Sequence, residues 1–335
     1  MYLDAQISPL TRLKHIPEVA RAAEELGFST LWMAETQHNP FLPCVLVAEH
    51  TSRIRFGTAI AVSFARSPAV MAHTAWDLAD VSGGRFILGL GTQVKAHIER
   101  RFGMKWPQSV VGKQREQIAA MRAFWHYWQT GKRLKYRGEY YKINLASPFF
   151  TPASIAHPDI PVFIAGVNTG LARLAGETAD GFHVHPFHTP LYLTDVLLPA
   201  IEEGATKAGR TRQDVNVAVS AFVVTNPAER EFVRQQISFY ASTPSYRKVL
   251  ELHGWVEIGE QLSAMASGKQ WAEMPGLIDD TILDTFAAVT DPGDLADTLQ
   301  LRYQGIADRI TLYAPFVPGE RDGFWAKLRK GFSEV

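Results

Sequence analysis

Glu35 and His38 stand three residues apart just beyond an apolar run at residues 30–34. A carboxylate beside an imidazole can work as a general acid/base pair. The same two side chains could also be loop residues bonded only to nearby backbone. A second candidate is Gly166-Val167-Asn168-Thr169-Gly170-Leu171, which leads from an apolar run into a helical pattern. The unpaired N–H groups and positive dipole end of such a helix start suit a phosphate. A plain Asn or Thr cap would read the same way. His183, His185 and His188 crowd the end of another apolar run. His-x-His can be half of a metal site, but no second pair with a carboxylate appears at the other run ends, so no metal is expected. His185 is expected instead to line a pocket for an organic substrate. Gln93 and His97 lie in a long connection, residues 92–107, of the kind that is usually functional. No Ser, Cys or Lys stands in a recognisable nucleophile setting.

These groups can act together only if the chain brings the run ends to one place. Residues 1–91 repeat a helix-then-strand unit three times, and the alternation continues to the end of the chain. Strands are expected at residues 2–7, 30–34, 54–60, 85–91, 162–165, 181–185, 215–223 and 309–313. Their continuous apolar character fits parallel strands buried on both faces. Helical spacing puts Ile16, Val19, Ala20, Ala23 and Leu26 on one face, and Ile118, Met121, Trp125 and Trp128 on another. Ser67-Pro68 reads as an N-cap and first-turn proline, with Val70, Met71, Ala75 and Leu78 turned inward. Residues 135–141 read as a small hairpin turning at Gly138. Helix seven is expected over residues 227–242. Residues 244–280 fit no strand–helix unit and read as an insertion, with Tyr246, Trp255, Met265 and Trp271 packing down as a lid.

Strand one runs into Ser8-Pro9-Leu10 without the G-x-G-x-x-G turn of an open dinucleotide-binding sheet. The expected fold is therefore α/β, a closed (β/α)₈ TIM barrel with insertions, its site at the carboxyl ends of the strands. No Gly/Ser linker divides the 335 residues, which read as one domain, 1–335. Thirty-four basic residues balance thirty-four acidic ones, so charge gives no case for nucleic acid or an anionic membrane. No apolar run is long enough to span a bilayer. Cys44 is the only cysteine. It reads as a buried, inert thiol in a reducing compartment, and the expected location is the cytoplasm.

Several segments in order resemble the luciferase-like flavin and deazaflavin oxidoreductases. They are Ala22-Ala23-Glu24-Glu25-Leu26-Gly27-Phe28, Arg53-Ile54-Arg55-Phe56-Gly57-Thr58, Ser82-Gly83-Gly84-Arg85-Phe86-Ile87-Leu88-Gly89-Leu90-Gly91, Glu99-Arg100-Arg101-Phe102-Gly103 and Leu174-Ala175-Gly176-Glu177-Thr178-Ala179-Asp180-Gly181. The resemblance covers nearly the whole chain and implies a barrel holding an isoalloxazine-type ring in its mouth. It implies a non-prolyl cis peptide at Ala59–Ile60 supporting that ring, and phosphate binding by Gly166, Val167, Asn168 and Thr169. Gln93 and His97 are the candidates for ring contact from the loop after strand four, where His97-Ile98-Glu99 stands in place of the family's Asn-Glu. Several deazaflavin dehydrogenases end strand two with an acid directly followed by His. Here Glu35 is followed by Thr36, and the proton-donor role carries over to His38. Arg85 lies at the amino end of strand four, on the stability face, and is given no chemistry.

The resemblance implies an oxidoreductase using coenzyme F420 to pass hydride to or from a small organic molecule. The alternative is an FMN-dependent monooxygenase. A third reading is a barrel subunit without catalysis, against which the phosphate loop argues. Family members often form dimers, so a homodimer is expected.

Overall fold

Each long apolar run of the sequence becomes a strand with both faces covered. The computed structural model describes residues 1–332. Its barrel strands are β1 (Tyr2–Gln6), β2 (Thr30–Met33), β3 (Arg55–Thr58), β4 (Phe86–Gly91), β5 (Val162–Gly166), β6 (Gly181–Val184), β7 (Asn216–Val224) and β8 (Arg309–Leu312). All neighbouring pairs are parallel. β7 pairs with both β6 and β8, and β8 returns to β1, so the sheet closes. The expected (β/α)₈ barrel is the observed fold.

The wall helices are α1 (Ile16–Leu26), α2 (Phe41–His50) and α3 (Pro68–Val81), then, after the rim helix α4 (Lys95–Arg100), α5 (Val110–Thr130), α6 (Thr169–Thr178) and α7 (Leu198–Lys207). Local chemistry sets their ends. Pro17 sits in the first turn of α1, and Gly27 closes that helix in the left-handed region at φ 81°. The Ser67 hydroxyl caps α3 by accepting the Val70 N–H. Met71, Ala75 and Leu78 are buried on α3 as expected, but Val70 is 57% exposed. It lies in the first turn, past the edge of the packed stripe. The loop after β4 also holds more structure than expected, because α4 forms within it.

The largest departure lies between β7 and β8. Helix α8 (Pro227–Ala241) is not a crossover on the barrel wall: Phe232, Gln236 and Tyr240 stand over Tyr313, the residue just past the end of β8. The chain goes on through α9 (Arg247–Glu251), α10 (Val256–Ser267) and α11 (Asp280–Phe286). It then returns through a short strand, Ala287–Val289, paired with the upper end of β7 at Phe222–Val224. The excursion thus starts at residue 227 rather than 244, and α12 (Leu295–Tyr303) makes the crossover to β8. Periodicity could not separate α8 from a wall helix, because both bury one face. Trp271 is 49% exposed and, among the described residues, its ring meets only that of the half-exposed Phe239, on the outer face of α8, at 6.1 Å. Helix α13 (Asp322–Gly331) packs against α12 and α1 after β8.

Close strand contact explains the glycines of β3 and β4. A Cβ on Gly57 would stand 2.2 Å from the Ile87 carbonyl oxygen, and one on Gly89 would stand 1.8 Å from that of Thr58. Level with these glycines, Trp32, Ile87, Phe163 and Ala218 fill the interior. Toward the amino ends of the strands, Arg309 donates to both oxygens of Asp4 at 2.8 and 2.7 Å, and Trp32 Nε1 donates to Asp4 at 2.9 Å. Burial pushes the Asp4 carboxyl up, while Arg309 opposes the shift. This ion pair stops the barrel from below, so a ligand can enter only from the carboxyl end. Arg85 binds the carbonyls of Ala48, Thr51, Ile54 and Ser82, a structural role away from the mouth. Cys44 is buried and donates to the Pro40 carbonyl.

Candidate active site

At the end of β2 the chain is tied to the segment leaving β3. The Glu35 N–H donates to the Ile60 carbonyl at 3.1 Å, and the Ala59 N–H donates to the Met33 carbonyl at 2.8 Å. The peptide between Ala59 and Ile60 is cis, as the resemblance implied. Ile60 lies across β4 so closely that a Cβ on Gly91 would be 2.6 Å from it. The Glu35 carboxylate accepts from Arg66 Nη1 and Nη2 at 2.7 and 2.8 Å and from the Val62 N–H at 2.6 Å. Its side chain is only 7% exposed. The expected Glu35–His38 acid/base pair is therefore not formed. Glu35 is consumed as a brace, and no hydrogen bond or ion pair joins it to His38 among the described residues. His38 stands exposed on the rim, beside a crevice that also touches Ile7, Ser8, Met33 and Asn39.

The loop after β4 forms the next part of the rim. Gln93 takes the left-handed region at φ 61°, and its Oε1 accepts from the neighbouring Val94 N–H. His97 is exposed on α4, whose Ile98 anchors the helix in a cluster with Val62, Phe64 and Ile60. The α4 loop and the cis segment are thus packed as one unit.

The start of α6 is open. Asn168 occupies the cap position but does not cap; its Nδ2 donates to the Ser245 carbonyl at 2.9 Å, and its Oδ1 is buried with no partner among the described residues. Among the described residues the N–H groups of Thr169, Gly170 and Leu171 have no acceptor. The Val167 carbonyl is held by the Tyr192 hydroxyl, and the Gly166 carbonyl by the His185 N–H. The loop is therefore fixed while its donors stay free, an arrangement fit for an anion. The plain-cap alternative does not hold for Asn168.

The three histidines of the β6 end point in different directions. His183 faces the barrel interior against Trp32, at a ring separation of 4.7 Å, and Phe163 at 5.2 Å. Its Nε2 has no partner among the described residues. His188 is buried in the wall, bonded to the His185 carbonyl and the Tyr303 hydroxyl. His185 stands at the mouth between Tyr240 and Tyr246, each 4.7 Å away. Burial is the first cause of depression in all three, to about 3 for His183 and His185 and about 4 for His188. All three are neutral imidazoles near pH 7. Among the described residues no group of three or more His, Cys, Asp or Glu is placed to hold a metal ion.

Sequence reasoning missed Arg66, Gln236, Tyr240 and Tyr313. Tyr313 had a usable signal, being the first residue after β8. The others had none, since they belong to helical or loop stretches without a motif.

The profile of the luciferase-like monooxygenase family matches residues 2–309. The chain belongs to that family. A Mycobacterium tuberculosis member, the uncharacterized protein Rv1360, is 43% identical over 305 residues, 89% of each chain. The F420-dependent glucose-6-phosphate dehydrogenase of Nakamurella multipartita is 31% identical over 241 residues, 68% of each. Among solved structures, the coenzyme F420-dependent tetrahydromethanopterin reductase of Methanopyrus kandleri superposes with a TM-score of 0.78 at 22% identity, covering 98% of this chain and 97% of that one. This luciferase-like protein is an oxidoreductase. Among its described residues no helix is long and apolar enough to cross a membrane.

Proposed function

We propose that this luciferase-like protein is an F420-dependent oxidoreductase that passes hydride to or from a small organic substrate. The observation that carries the reading is the uncapped start of α6, where Asn168 is turned away and three N–H groups are left free. The F420 dependence of the 31%-identical glucose-6-phosphate dehydrogenase of Nakamurella multipartita supports the same cofactor. The residues present fit it. Gly166, Val167, Asn168 and Thr169 would hold its phosphate with charge-assisted backbone bonds, while Ala59 and Ile60 would support its ring, with Gln93 and His97 at the rim.

A bound deazaflavin supplies hydride transfer and reacts poorly with oxygen. The chain's own residues do the rest. Glu35 and Arg66 hold the Ala59–Ile60 segment in place. The Asp4–Arg309 stopper and the packed interior keep water from below. His38, exposed at the rim, donates or takes the proton that accompanies hydride transfer. His185 lines the substrate side.

The test is fluorescence quenching with oxidised F420 and with FMN, side by side. F420 is expected to bind and FMN to bind more weakly. A Cβ at Gly170 meets only Val111, at 3.2 Å, so Gly170→Ala is expected to bind F420 as wild type does. Gly170→Asp sets a carboxylate against phosphate and should weaken binding about tenfold or more. FMN binding without F420 binding, or unchanged F420 affinity in Gly170→Asp, overturns the reading.

A further inference from the structure

The β6–β8 side of the mouth carries a set of polar aromatic side chains whose hydrogen atoms can be placed. The Phe187 N–H donates to His185 Nδ1 at 3.1 Å. In a neutral imidazole the ring hydrogen then sits on Nε2. No protein acceptor for that Nε2–H is found among the described residues, and the half-buried ring lies at the mouth. Tyr240 meets the ring edge-on, at 4.7 Å and 86°, and Tyr246 lies against it at 4.7 Å and 47°. The ring cannot turn without displacing one of them.

Tyr240 is itself braced. Tyr313 donates to Gln236 Oε1 at 3.3 Å, and its oxygen therefore accepts from the Tyr240 hydroxyl at 2.7 Å. Three arginines on the surrounding elements are matched with carboxylates: Arg234 with Asp280 at 2.6 Å, Arg247 with Glu260 at 3.4 Å and Arg321 with Glu229 at 2.6 Å. This wall thus presents a neutral donor on a ring held in place, with those three guanidiniums paired. Such a wall suits an oxygen atom that carries no full charge, because an anion would lose its hydration for one neutral hydrogen bond.

We propose that His185, through its Nε2–H, is the specificity-determining contact for the oxygen of an uncharged carbonyl or carbinol substrate, and that Tyr240 and Tyr246 fix its ring in that pose. The assignment rests on reading the mouth as the hydride-transfer site. It excludes carboxylates and phosphate esters as the group seated at this wall.

The probe is 4-(dimethylamino)cinnamaldehyde, whose long-wavelength absorption moves to the red when its carbonyl oxygen accepts a hydrogen bond. The comparison ligand is the matching cinnamate, which carries a carboxylate in the same position. With cofactor-free wild-type protein, the aldehyde is expected to bind with a red shift and the cinnamate to bind more weakly. His185→Gln keeps a donor near the Nε2 position and should keep the shift. His185→Phe should abolish it and weaken aldehyde binding about tenfold. A shift that survives in His185→Phe, no shift in wild type, or equal affinity for the cinnamate overturns the proposal. The wild-type protein offers a second readout that needs no loss of the ring. With ¹⁵N-labelled histidine, the His185 Nε2–H resonance should move on aldehyde binding, and an unmoved resonance overturns the proposal. F420 quenching measured on the same samples separates the two readings. A His185-dependent shift in a protein that does not bind F420 upholds the oxygen seat and removes the cofactor. Normal F420 binding with a His185-independent shift does the reverse.

Discussion

Removing the Glu35 carboxylate should unfold the rim before it alters any chemistry. The side chain is 7% exposed and that of Arg66 is 16% exposed, so the pair lies largely out of water. Glu35→Ala deletes three hydrogen bonds, at 2.6, 2.7 and 2.8 Å, and leaves the Arg66 guanidinium, among the described residues, with the Val62 carbonyl at 3.1 Å and the face of Phe41. Breaking a buried pair by removing one partner costs about 3–5 kcal/mol, because the surviving charge stays buried. Arg66→Ala should cost a similar amount. The double variant should fall short of the sum by about 1–3 kcal/mol, since the second deletion removes a charge that the first had already orphaned. Glu35→Gln keeps an acceptor for the Val62 N–H and should lie between wild type and Glu35→Ala. The assay is urea unfolding of the cofactor-free protein, followed by tryptophan fluorescence, across all four variants. Single costs within about 0.5 kcal/mol of wild type, or costs that simply add, refute the brace. So would a Glu35→Gln variant of unchanged stability and no turnover, because that is the signature of an acid/base residue.

Acid should weaken the fold through the β6 histidines. Their values near 3 and 4 lie below the ordinary 6.5, so between these limits the unfolded chain binds more protons than the native one. Stability is then full above about pH 6.5 and falls on acidification by roughly 1.4 kcal/mol per pH unit for each histidine. Urea midpoints between about pH 6 and pH 5 should show a shallower slope in His188→Gln, and an unchanged slope counts against the burial. Gly89→Ala forces a Cβ to 1.8 Å from the Thr58 oxygen and should cost more than ~4 kcal/mol; a melting temperature within about 3 °C of wild type would contradict that contact. His38→Ala should slow single-turnover oxidation of the reduced cofactor while leaving cofactor affinity alone. If it reacts at the wild-type rate while His97→Ala is slowed, the proton-donor role moves to His97.

Local pattern was enough for the barrel itself. A run such as Phe86–Gly91 has no polar face, so only a strand covered on both sides can hold it. A stripe such as Ile118, Met121, Trp125 and Trp128 has one helical face to bury. The free start of α6 was partly legible, because Gly166 to Gly170 announces a loop feeding a helix. Whether Asn168 caps that helix was not, since Ser245, the acceptor that draws its amide away, lies 77 residues on.

Only the closed tertiary structure decided which polar groups are free to act. Glu35 and His38 look like a pair because they are neighbours in sequence, yet Glu35 is taken by Arg66, 31 residues later. Tyr240 and Tyr313 share a hydrogen bond across 73 residues, and α8 hangs over the mouth although its periodicity suits the wall. Side-chain periodicity reports how much of an element is buried, and does so from adjacent residues alone. It carries no record of which distant element does the burying. A carboxylate, an amide or an imidazole is reactive or inert according to that distant partner, and the partner exists only once β8 has closed the barrel against β1.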